Sequence, residues 1–140
     1  MITSLNKAQI IDFVKNKPIE VVYIFGSQAT GDVKPLSDYD FAVLFDEAIS
    51  SHERFDLKLE FIVFLSKLFK TDKVDVVDIN SAPPAFRYSA ILPRKDLYTK
   101  SEGKRIDFEH KTMQEFFDRL YYIKRETYQG LKKFARQGLK

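Results

Sequence analysis

The sequence predicts an α+β domain, a small mixed β-sheet with helices packed on one side and a long C-terminal helix. Three observations point there. Short β-branched and aromatic runs, EVVYIF, YDFAVLF and KVDVVDI, are each bounded by turn or helix signals. An amphipathic segment separates the second run from the third, so strands and helices are interleaved. Apolar residues then recur at helical spacing from about Asp107 to Phe134.

Taken in order, LNKAQIIDFVKNK carries Leu5, Ala8, Ile11 and Val14 at the spacing of a first helix. EVVYIF reads as a buried strand and stops at Gly26, where a turn is expected. YDFAVLF is the second strand. Ser50 and Glu53 then form an S-x-x-E capping pattern, and Phe55, Leu59, Ile62, Leu65 and Phe69 continue it as an amphipathic helix of about five turns. KVDVVDI is the third strand. Pro83-Pro84 opens a short helix through AFRYSAIL, which Pro93 closes. DLYT offers a short fourth strand. Phe108, Met113, Phe116, Phe117, Leu120, Ile123, Tyr128 and Leu131 mark the final helix.

A length of 140 residues bounds the chain to one domain, residues 1–140. With 44% hydrophobic and 31% charged residues it has the composition of a folded protein rather than a disordered one. No apolar run approaches the ~20 residues of a membrane span, and the N-terminus lacks the pattern of a signal peptide. The absence of cysteine excludes disulfides and thiolate zinc sites and fits a cytoplasmic protein. The net charge is +3, yet Lys104 to Lys140 holds ten Lys/Arg against five Asp/Glu. Such a tail suits nucleic acid, an acidic protein, a phosphate-bearing ligand, or simply water.

The chemistry concentrates in YIFGSQATGDVKPLSDYDFAVLF. Residues two apart on a strand share a face at roughly 7 Å, so Asp38 and Asp40 project together. Two ionised carboxylates so placed cost free energy unless a cation is shared. Ligation by oxygen alone favours Mg²⁺ or Mn²⁺ over zinc. Gly26-Ser27, ending a strand before a short turn, exposes N–H groups and a hydroxyl that suit phosphate. Gly31 is expected to close that turn with positive φ. KVDVVDI adds two further carboxylates, Asp75 and Asp78, on opposite faces.

Gly-Ser, ten residues, Asp-x-Asp resembles the signature of the DNA polymerase β-like nucleotidyltransferases. More narrowly, the chain is similar to the minimal nucleotidyltransferases (MNT proteins), whose genes often neighbour a HEPN-domain partner. The likeness runs from EVVYIFGSQATG through SDYDFAVLF and VDVVDI to the terminal helix. It implies the polymerase β-like fold, with residues 1–100 as catalytic core and 101–140 as a helical extension. Asp38 and Asp40 would hold two Mg²⁺ ions, with Mn²⁺ as a substitute. The third carboxylate would be Asp75, which matches the family position; Asp78 would be an edge or cap residue. Gly26 and Ser27 would bind the β- and γ-phosphates of ATP. Arg87, after the third strand, could neutralise triphosphate charge, and Lys34 could do likewise.

His52 and His110 stand singly and read as solvated. Nothing in the chain is long enough to be an appended substrate domain, so the acceptor would be a protein or would be met through one. The resemblance implies an antitoxin that adenylylates a tyrosine of a HEPN ribonuclease toxin, as part of a hetero-oligomer, with no membrane contact and no direct contact with nucleic acid. The Phe- and Tyr-rich terminal helix, basic on its polar side, is the candidate docking surface. Two alternatives stand beside this reading: a small-molecule acceptor such as an antibiotic, and a non-enzymatic antitoxin that acts by occlusion.

Overall fold

The computed structural model describes residues 2–25, 38–91 and 95–138. Its elements are α1 (Ser4–Val14), β1 (Ile19–Phe25), β2 (Tyr39–Phe45), α2 (Ser51–Phe69), β3 (Val74–Asp78), α3 (Pro84–Ile91), β4 (Lys95–Thr99) and α4 (Glu102–Gly138). All the expected elements are present, including the short fourth strand. The strands form one mixed sheet in the order β3-β2-β1-β4. β1 is antiparallel to β2 and to β4, whereas β2 and β3 run parallel.

The helix starts are set locally. Thr3 and Asn6 form a reciprocal capping box at α1. The Ser50 hydroxyl accepts from the Glu53 N–H at 3.2 Å, as the S-x-x-E pattern predicts. α2 ends on Lys70 at φ 54°, ψ 43°, a left-handed C-cap without glycine.

Alternation along the strands separates two apolar faces. Val22, Ile24, Phe41, Val43, Phe45 and Val76 pack under Ile10 and Val14 of α1 and Phe61 and Leu65 of α2. Val21, Tyr23, Ala42 and Ile79 face the other way, against Ala90 and Ile91 of α3, with Phe108 and Met113 of α4 beside them. One face thus carries the helix pair that was expected. The opposite face, which helices on one side alone would leave open, is covered in part by α3 and the first turns of α4. The reason lies in the strands: Val21, Tyr23 and Ala42 are fully buried there and need an apolar cover.

The helical periodicities are rotated slightly from those read in the sequence. Leu5 on α1 and Phe55 and Leu59 on α2 are exposed, because the buried sides run through Ile10 and Val14 and through Phe61 and Leu65. Among the described residues no helix is long and apolar enough to cross a membrane.

Candidate active site

Asp40 lies in β2 opposite Asp75 of β3 in the parallel register, and opposite Phe25 of β1 on its other side. Tyr39, Phe41 and Val43 point into the α1/α2 core, which leaves Asp40 on the face of Ala42 and Leu44. Asp38, one residue before the strand begins, lies close enough for its charge to act on Asp40. In β3, Val74 and Val76 belong to the α1/α2 core, so Asp75 stands on the same face as Asp40. Three carboxylates therefore gather at one end of two neighbouring strands.

Their proximity has an electrostatic signature. Partial burial, and then the negative charges of Asp75 and Asp38, hold the Asp40 carboxyl above its usual range. Asp78 is different. It points to the α2 side, where Arg54 Nε donates to its Oδ2 at 2.8 Å, and its Oδ1 accepts from the Asn80 N–H at 2.9 Å. The two candidates differ in placement: Asp75 faces Asp40, and Asp78 caps the end of β3.

Among the described residues, no three acidic or imidazole side chains enclose a ready-made metal cage. That is compatible with Mg²⁺, which keeps several waters and takes further ligands from substrate phosphates. A one-sided row of oxygen donors, destabilised by its own charge, fits such an ion better than it fits zinc. Phe86 of α3 meets Phe25 edge to face, with ring centroids 6.1 Å apart, and leaves an exposed aromatic surface near these carboxylates.

Gly26 and Ser27, with Gly31 and Lys34, lie outside the described residues; β1 delivers the chain to them at Phe25, beside Asp40. Arg87 is not brought to the carboxylates. Its Nη2 donates to the Asn80 carbonyl at 2.6 Å and its Nη1 lies 3.9 Å from Glu115. There it lines a cavity of about 440 Å³ at the opposite ends of β2 and β3, with Glu20, Leu44, Asn80, Lys104 and Lys111. His52 and His110 are exposed, His52 lying 3.5 Å from Asp56.

The sequence did not reveal how α4 is fastened to the sheet. The buried Tyr23 hydroxyl donates to Glu109 Oε1 at 3.1 Å, and Arg105, which within α4 donates from Nη1 to both oxygens of Glu109 at 3.1 and 2.9 Å, lies 3.8 Å from Asp96 of β4. Lys104 reaches the buried Glu20 of β1 at 3.2 Å. A tyrosine inside an apolar strand signals that its hydroxyl needs a partner. That partner is 86 residues away.

Comparison with known proteins agrees with this geometry. Residues 8–103 match the family model described as polymerase beta, nucleotidyltransferase. The chain is similar to the protein adenylyltransferase MntA of Aphanizomenon flos-aquae (strain 2012/KM1/D3), at 29% identity over 105 residues, covering 68% of this chain and 67% of that protein. In fold it is similar to a chain in the crystal structure of a toxin–antitoxin with AMP-PNP, with a TM-score of 0.68 and 23% identity, covering 90% of this chain and 98% of the other. It is also similar to a chain of the complex between a tri-AMPylated Shewanella oneidensis HEPN toxin and its MNT antitoxin, with a TM-score of 0.62 and 21% identity, covering 91% and 96%. With its family match spanning most of the sheet and its carboxylates on neighbouring strands, the chain belongs to the polymerase β nucleotidyltransferase family.

Proposed function

We propose that this chain is an antitoxin that transfers AMP from ATP to a tyrosine hydroxyl of a HEPN-domain ribonuclease toxin, with Mg²⁺, within a hetero-oligomer. The observation that carries the reading is the ladder pairing of Asp40 with Asp75, with the charge of Asp38 acting on Asp40 and Asp78 turned away to Arg54. A chain that only bound its partner would gain nothing from holding these like charges together. The adenylyltransferase name of the Aphanizomenon relative and the toxin–antitoxin complexes of similar fold support the same reaction and partner.

Asp38 and Asp40 would hold two Mg²⁺ ions, and Asp75 would complete the site of the second. When bound, the ions supply charge neutralisation for the triphosphate and ease ionisation of the acceptor hydroxyl. Gly26 and Ser27, which follow β1 directly, bind the β- and γ-phosphates in this reading. The tyrosine oxygen attacks the α-phosphorus, the bond to the bridging oxygen breaks, pyrophosphate leaves, and the phenolic proton passes to Asp75. Positioning and charge neutralisation provide most of the acceleration. Arg87 is not carried into this scheme, because its guanidinium is held at Asn80 and Glu115.

The test is intact-mass spectrometry of the co-expressed HEPN chain after incubation with the full protein, ATP and Mg²⁺. The expected result is a gain of one or more adenylates, mapped to tyrosine and lost with Asp40→Asn or Asp75→Asn. Label on an aminoglycoside and none on the HEPN chain would assign a small-molecule acceptor instead. Neutralisation that survives Asp38→Asn with Asp40→Asn would assign occlusion.

A further inference from the structure

From Tyr121 to Arg136 every residue of α4 is exposed, so this part of the helix runs free of the domain body. Its composition is not that of a solvated helix. Phe117, Tyr121, Ile123, Tyr128, Leu131 and Phe134 are each 51–73% exposed. At about 100° per residue, Phe117, Leu120, Tyr121, Tyr128, Leu131 and Phe134 fall on one side. The stripe continues the line of Met113, which packs on the sheet, and Phe116, which stacks on Tyr88 at 3.9 Å. Tyr122 points the opposite way. A side that buries apolar groups in its first turns thus continues, uncovered, for roughly 25 Å more.

Charge selects what covers it. Between Asp118 and Gly138 the helix carries six Lys/Arg against two Asp/Glu. Lys124 falls in the middle of the stripe, between Leu120 and Tyr128. A second copy laid along the stripe would bring two such basic helices together and trap ammonium groups in the seam, which is costly without a counter-charge. A bilayer surface would have to bury Lys124 among the anchoring side chains. A protein groove with a carboxylate opposite Lys124 meets neither cost, and tyrosine and phenylalanine are typical anchors of such interfaces.

We propose that the Phe117–Phe134 stripe of α4 docks the HEPN-domain partner in an apolar groove between helices, rimmed by acidic side chains, one of which answers Lys124. The identity of the partner rests on the function proposed above; the surface and its chemistry do not. Docking is then spatially separate from the carboxylates. The stripe holds the toxin while Asp38, Asp40 and Asp75 act on it.

The experiment measures binding of the co-expressed HEPN chain to the full protein and to Leu131→Glu, Lys124→Glu and Tyr122→Glu variants, alongside AMP-PNP binding and sedimentation of the protein alone. All three side chains are exposed, so unchanged thermal melts verify the fold. Leu131→Glu should weaken HEPN binding at least thirty-fold, the scale of one interface hot spot. Lys124→Glu should weaken it and reduce its salt dependence, whereas Tyr122→Glu should stay within about threefold and AMP-PNP binding should not change. Unchanged binding by Leu131→Glu overturns the proposal, as does equal loss in Tyr122→Glu. A dimer of the isolated protein that Leu131→Glu dissolves assigns the stripe to a second copy. Flotation with anionic vesicles that the same variant abolishes assigns it to a membrane. Wild-type binding without adenylate transfer counts against the proposed reaction alone. Transfer with intact binding in Leu131→Glu counts against the docking surface alone.

Discussion

Removing one charge from the carboxylate row should stabilise the metal-free protein and disable it at once. Asp40 faces Asp75 across a strand spacing of about 4.8 Å, and Asp38, two residues back in the chain, lies on the order of 7 Å away. In water these repulsions amount to about 0.9 and 0.6 kcal/mol. Salt at physiological strength roughly halves them. Asp40→Asn keeps the shape and deletes both, so the metal-free variant should gain about 1.5 kcal/mol in low salt. For a chain of this size that raises the midpoint by about 5 °C, and by about half as much at physiological salt. The assay is a calorimetric melt in EDTA and again with Mg²⁺. In EDTA the variant should melt higher; with Mg²⁺ the wild type should rise and the variant should not. The pH dependence has a defined sign. The folded state holds the Asp40 pKa above the ordinary 3.8, so ionisation of Asp40 weakens the fold. The variant's advantage is full at neutral pH, shrinks as pH falls through that raised value, and is gone below about 3.8. A variant that melts at or below the wild type in EDTA, or that responds equally to Mg²⁺, would refute the electrostatic account of the site.

Other outcomes follow from the same geometry. Asp75→Asn should lower adenylate transfer at least a hundredfold, whereas Asp78→Asn, on the opposite face, should keep transfer within a few-fold while losing about 1–2 kcal/mol of stability in urea titration. Arg105→Ala leaves the buried Glu109 without its guanidinium partner and should cost about 3 kcal/mol by the same titration; Tyr23→Phe should cost about 1 kcal/mol. Lys70→Gly relieves a left-handed residue and should raise the melting midpoint by a few degrees, for a gain of up to about 1 kcal/mol.

What could be read in advance followed the range of the interactions. Helix caps at Ser50 and the strand runs depend on residues a few positions apart, and they appear where the local pattern placed them. The face of Asp40 was equally legible from alternation, whereas Asp38 precedes the strand and shows itself only through its charge on Asp40. Asp75 and Asp78 were not separable by alternation; only the register of β3 on β2 and the presence of Arg54 show which one faces Asp40. Arg87 looked available to phosphate because a sequence does not display the Asn80 carbonyl that binds its guanidinium. The cover on the second face and the Tyr23–Glu109–Arg105 contact depend on α4 folding back over β1, across a separation that no local pattern encodes.

The Tyr23–Glu109 bond and the Lys104–Glu20 pair also set where the far end of α4 points. Phe134 lies 25 residues beyond Glu109, about 38 Å along the helix axis. A tilt of about 5° at the root would swing that tip by roughly 3 Å, the length of a hydrogen bond. Greasy packing tolerates rotation of that size, but the Tyr23 phenol on Glu109, with Lys104 on Glu20 of β1 and Arg105 beside Asp96 of β4, resists it because polar contacts are directional. The polar root therefore acts as the aiming mount of a cantilever: loosening it should spoil registration at the tip before it unfolds anything.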